Sequence, residues 1–132
     1  MRRSLEKHLQ DDLASKMVFL GGPRQVGKTF LAKQLLASMG GEYFNWDDDE
    51  ARRQMLRRGW SDDSRLLVFD ELHKFPRWKN WVKGLYDTRG DRHAILVTGS
   101  ARLDVYRRGG DSLLGRYHSW RLHPLSLDEL PP

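Results

Sequence analysis

Residues Gly21–Leu31 read GGPRQVGKTFL. Three glycines, a proline and a lysine stand between two apolar segments. The run before them, MVFL (Met17–Leu20), is short and unbroken, as expected of a strand buried on both faces. The run after them places Phe30, Leu31, Leu35 and Leu36 on one face of a helix that starts near Lys28 and stops near Met39, where Gly40 and Gly41 follow. A strand that breaks into glycine and re-enters as a helix is a costly turn, because glycine loses the most conformational freedom on ordering. Such a turn needs a reason.

GPRQVGKT (Gly22–Thr29) fits the pattern G-x-x-x-x-G-K-[ST]. Glycine lets the backbone curl until successive N–H groups converge on one anion. The helix that follows adds its own unpaired N–H groups and the positive end of its dipole. Lys28 is expected to reach the β- and γ-phosphates of a nucleotide, and the Thr29 hydroxyl to bind Mg²⁺. Gly22, Pro23, Arg24, Gln25, Val26, Gly27, Lys28, Thr29 and Phe30 are therefore the expected nucleotide-binding residues. The Arg24 side chain can meet a phosphate or a nearby acid, and its spacing does not choose between them.

A second motif supports the first. LLVFDEL (Leu66–Leu72) is an apolar strand ending in two acids. Asp70 at its end is expected to hold Mg²⁺ through water, together with Thr29. Glu71 is placed to orient and polarise an attacking water. The next apolar run, AILV (Ala94–Val97), ends in Thr98, Gly99 and Ser100. Ser100 is the first choice for a polar contact to the γ-phosphate or the attacking water, and Thr98 the second.

Elsewhere Leu5, Leu9 and Leu13 predict a first helix, and EYFNW (Glu42–Trp46) a strand. DDDEARRQMLRR (Asp47–Arg58) reads as a helix capped by Asp47, with Glu50 completing a capping box. Trp78, Trp81, Val82 and Leu85 share one helical stripe, which points to core packing rather than base stacking. GRYHSWRLHPL (Gly115–Leu125) suggests a last strand, a short helix is expected from Ala101 to Arg107, and SLDEL starts another. Strands alternating with helices, each strand apolar on both faces, argue for an α/β fold with a mainly parallel sheet covered on two sides.

No apolar run approaches the roughly 18 residues of a membrane helix, and the charged start MRRSLEKHLQDDL is unlike a signal peptide. Cysteine is absent, which excludes disulfides and thiol chemistry. A cytoplasmic protein without membrane partners is the plain expectation. The net charge of +5 suits either a nucleic-acid surface or a solvated arginine-rich one with an anion site. The five histidines show no metal-ligand spacing, and His73, close to Glu71 in sequence, reads as a solvent-exposed loop residue in preference to one at the site's edge.

The order GPRQVGKT, VFDEL, VTGSAR, LLGR and HPLSLDEL resembles the AAA-type ATPases of bacteria and archaea that join an ATPase region to a further C-terminal domain. The resemblance implies a three-layer αβα P-loop NTPase sandwich in which an extra strand, AILV, separates the Walker A and Walker B strands. It implies ATP (with ADP as product) and Mg²⁺ as ligands, and a single ATPase core domain over residues 1–132, cut from a longer protein. It also implies that Arg116 acts as a charge-compensating arginine near a γ-phosphate, of this chain or a neighbouring subunit. The helical lid of the family lies outside this pattern, so hydrolysis is expected to be slow and homo-oligomer assembly is an open expectation. Glu71, Lys28, Ser100 and Arg116 are thus the expected catalytic residues. The competing expectation is a nucleotide-gated module that binds DNA, RNA or a protein and hydrolyses little.

Overall fold

A computed structural model describes residues 2–22, 27–99 and 115–121 of the chain. Helix α1 (Arg2–Leu13) leads into strand β1 (Met17–Gly21), and helix α2 (Lys28–Met39) into β2 (Gly41–Asn45). Helix α3 (Asp49–Leu56) precedes β3 (Leu66–Asp70), which ends in a short 3₁₀ turn (Leu72–Lys74). Helix α4 (Trp78–Arg89), β4 (Ala94–Gly99) and β5 (Tyr117–Arg121) complete the described elements. The five strands form one parallel sheet in the order β2-β3-β4-β1-β5. β4 therefore stands between the glycine-loop strand β1 and the Asp70 strand β3, which is the expected order.

Successive residues of a strand face opposite ways, and the core divides accordingly. Met17, Phe19, Leu67, Phe69, Ile95 and Val97 pack with Met55 of α3 and with Trp78, Val82 and Leu85 of α4. Val18, Leu20, Leu66, Val68 and Leu96 pack with Leu9 and Leu13 of α1 and with Leu31, Ala32 and Leu35 of α2. All five residues of β3 are buried, as a central parallel strand with helices on both faces requires. The result is the three-layer αβα sandwich. Trp78 is buried and Trp81 packs against the same core, with Phe69 edge-on at 5.0 Å, so the tryptophan stripe serves packing.

Two local expectations are corrected. Asp48, not Asp47, caps α3: its side chain accepts the Ala51 N–H at 2.8 Å. The Asp47 N–H is instead taken by the Asn45 side chain at 2.9 Å, which turns the chain once more before the helix begins. Glu50 pairs with Arg53 at 2.9 Å and closes no capping box. His73 is mostly covered, with about 10% of its side chain exposed, because the 3₁₀ turn folds it back beside Glu71. The glycine pair after α2 also has separate tasks. Gly40 ends the helix at φ 80°, donating its N–H to Leu36. At Gly41 a Cβ would stand 1.9 Å from the Leu66 carbonyl oxygen, so only glycine lets β2 come this close to β3.

The short helix expected from Ala101, the segment from Leu122 onward and SLDEL lie outside the described residues.

Candidate nucleotide site

The site forms where the C-terminal ends of β1, β3 and β4 meet the first turn of α2. Gly27 holds a left-handed backbone (φ 86°, ψ 17°) as the residue before α2, with no side chain capping the helix. A residue with a Cβ would be strained there. The first N–H groups of α2 are thus without a side-chain cap at the mouth of a cleft of about 320 Å³. Gly27, Lys28, Thr29, Phe30, Asn45, Asp47, Asp70 and Glu71 line that cleft. Pro23, Arg24, Gln25, Val26 and Ser100 lie outside the described residues.

Lys28 is buried, and one of its N–H groups donates to the Gly22 carbonyl at 2.6 Å. That bond straps the lysine across the base of the loop and fixes where its charge sits. Asp70 is also buried, and its described partners are three hydroxyls. Thr29 Oγ1 donates to Oδ2 at 3.0 Å, the Tyr43 hydroxyl donates to the same oxygen, and Thr98 Oγ1 donates to Oδ1. Burial first, and then the bond to the Asp70 carboxylate, push the Tyr43 phenol well above its ordinary value, so at neutral pH it remains a proton donor.

A hard divalent cation fits this donor set. The site offers a buried carboxylate whose side-chain partners among the described residues are all uncharged hydroxyls, and oxygen ligands in preference to nitrogen or sulfur. Among the described residues no cluster of three or more His, Cys, Asp or Glu side chains could hold a metal alone. Thr29 and Asp70 are the residues that would hold it.

Glu71 follows directly, with a left-handed backbone (φ 60°, ψ 27°) that a glutamate adopts only at a cost of roughly 1 kcal/mol or more. The turn swings its carboxylate out of the strand and towards the cleft. Lys74 Nζ lies 3.2 Å from Glu71 Oε1 and 2.9 Å from Asp47 Oδ2, so one ammonium joins two cleft-lining acids. His73 Nε2 stands 4.0 Å from the same Glu71 oxygen.

Two further expectations meet the geometry here. Thr98 is fully buried and its hydroxyl is committed to Asp70, so it braces a carboxylate rather than reading a phosphate. Arg116 lies at the wrong end of the sheet for its own chain's phosphates. Its carbonyl accepts the N–H of Met17, the first residue of β1, whereas the loop leaves from the other end. Four residues of strand between them amount to about 13 Å. Its guanidinium pairs with Asp87 of α4 at 2.8 Å, which holds the Asp87 carboxyl below its ordinary range. Arg116→Gln is expected to leave nucleotide affinity within about twofold of wild type, since surface changes remote from a site do little. A titration with a fluorescent ATP analogue checks this.

The sequence reading missed Tyr43, Asn45, Asp47 and Lys74. The first two had a signal. Once β2 is placed beside β3, Tyr43 and Asn45 share a face by the strand period of two, and Asn45 is in register with Asp70.

A family model described as an AAA domain matches residues 14–131. The chain belongs to the AAA domain family. Comparison with curated proteins finds no match. Among solved structures, the chain is similar in fold to the Orc1 protein of Aeropyrum pernix, solved in complex with DNA, with a TM-score of 0.60 and 13% identity. The alignment covers 92% of this chain and 45% of Orc1, so the AAA domain spans under half of that relative. The family makes this an AAA-type P-loop ATPase module. Among the described residues no helix is long and apolar enough to cross a membrane.

Proposed function

We propose that this AAA domain binds Mg-ATP in the cleft between Gly27 and Glu71 and hydrolyses it, coupling nucleotide state to conformational change. The observation that carries the reading is the contact of Thr29 with Asp70 at 3.0 Å, which joins the two motifs expected to share a magnesium ion. The left-handed turn at Gly27 and the first turn of α2 receive the polyphosphate. Lys28 adds a fixed positive charge where negative charge accumulates. Bound Mg²⁺ would supply further charge neutralisation of the phosphates, held by the Thr29 hydroxyl and, through water, by Asp70. Glu71 orients the attacking water and takes its proton. Lys74, bonded to both Glu71 and Asp47, keeps that carboxylate at the cleft wall. Little covalent chemistry is asked of the protein, so rate depends on positioning and on these charges.

A second reading has its own support. The net charge of +5 and the fold shared with a DNA-bound Orc1 favour a nucleotide-gated module that engages nucleic acid and hydrolyses little. One assay decides between them. The chain is titrated with ATP and Mg²⁺ while binding and phosphate release are followed together, with and without duplex DNA. Hydrolysis predicts saturable, magnesium-dependent binding with release slower than about 1 s⁻¹. Binding without release under every condition favours the gated module, and absence of binding removes both.

A further inference from the structure

We propose that Tyr43 sets the metal preference of this site by keeping Asp70 from binding a cation through both of its oxygens. The inference rests on the Mg-ATP reading above and deepens it. A carboxylate offers roughly four lone-pair positions, two on each oxygen. On Asp70 the Oδ2 pair is taken by the hydroxyls of Thr29 and Tyr43, and one Oδ1 position by Thr98. Among the described residues' bonds about one position is left, which suits a single metal-bound water.

The two common hard cations treat such a carboxylate differently. Mg²⁺ insists on a near-octahedral shell and keeps several waters, so one outer hydrogen bond to a carboxylate serves it well. Ca²⁺ takes six to eight oxygens in looser geometry and readily uses a carboxylate through both oxygens. With Oδ2 closed by two hydroxyl protons, that second mode is blocked. Thr29 cannot supply the block alone, because its oxygen is the expected metal ligand and it moves with the metal. Thr98 cannot supply it either, because it bonds to the other oxygen.

Tyr43 is held at both its ring and its hydroxyl. Its ring packs against the α2 side of the sheet, with the Lys33 ammonium 5.2 Å from the ring centre. The Asn45 amide donates to its hydroxyl at 3.4 Å, which leaves the Tyr43 proton directed at Asp70. Tyr43 is not among the residues that line the cleft. It acts through Asp70, as a positioning residue.

The test is Tyr43→Phe, which removes one oxygen and keeps the ring. Binding of a hydrolysis-resistant fluorescent ATP analogue is measured by anisotropy, first without metal and then against rising Mg²⁺ or Ca²⁺. Metal-free binding equal to wild type shows that the variant is folded. In wild type, Mg²⁺ is expected to support binding at much lower concentration than Ca²⁺. In Tyr43→Phe the ratio of the Ca²⁺ to the Mg²⁺ half-saturating concentration should fall about tenfold, the scale of one hydrogen bond to a charged group. Thr98→Val should weaken both metals and leave the ratio alone, since Oδ2 stays closed. An unchanged ratio in Tyr43→Phe, including an equal loss for both metals, overturns the inference while the nucleotide reading stands. If wild type binds the analogue under none of these conditions, both fall together.

Discussion

Glu71→Gln is expected to bind Mg-ATP with near wild-type affinity and to release phosphate at least about a hundredfold more slowly, the lower end of what a positioned general base contributes. Glutamine keeps the length and planar end of glutamate but cannot take a proton from water. It also keeps the backbone problem: both residues must hold the left-handed turn at φ 60°, so the strain there is common to both and cancels from the comparison. The Lys74 bond to Oε1 becomes a neutral-acceptor bond, which weakens a partly exposed contact worth little to folding. The measurement is single-turnover phosphate release beside a binding titration. Equal rates in the two proteins would remove Glu71 from the chemistry, and loss of binding would make it a ligand residue instead.

Lys28→Ala is expected to lower nucleotide affinity at least about a hundredfold, with the ATP loss larger than the loss for AMP. Charge-assisted hydrogen bonds are worth roughly 1.5–3 kcal/mol each, and a buried ammonium at the start of α2 is expected to contact more than one phosphate oxygen. The residue is only 6% exposed, so no surface lysine can replace it. The change also removes the strap to the Gly22 carbonyl, which leaves a loop acceptor without that donor. Melting temperature measured alongside affinity separates the two effects. A variant that melts like wild type and still binds ATP unchanged would contradict the phosphate-cradle assignment. AMP, which lacks the β- and γ-phosphates, serves as the internal control.

The parts of the fold that were legible in the sequence share one property: they are specified within a few neighbouring residues. The apolar runs of β1, β3 and β4, the start of α2 at Lys28 and the tryptophan stripe of α4 each carry a local pattern, and the structure follows them. The cap of α3 was misplaced by one residue because four successive acids offer the same chemistry and only the Asn45 side chain chooses among them. The distance of Arg116 from its own chain's phosphates is not legible in the sequence, because a resemblance in sequence order says nothing of which end of a strand a residue occupies. Pairing with Met17 decides that, and pairing is a tertiary fact. Tyr43 was passed over for a related reason. An alternating tyrosine on a short strand is ordinary until the strand's neighbour is known to end in Asp70. The site residues contributed by β2 are therefore the ones that reading along the chain finds last.

β2 has one strand neighbour among the described residues and stands at the sheet's rim. Backbone at a rim frays more readily than backbone at the centre, and its amide protons exchange with solvent sooner. Tyr43 and Asn45 ride on that strand, while Asp70 and Thr98 are rooted in the middle of the sheet. The ordering of the cation pocket is thus tied to a ladder at the edge of the sheet. Anything that adds a strand along that rim, or peels it away, would be felt at Asp70 without touching the nucleotide.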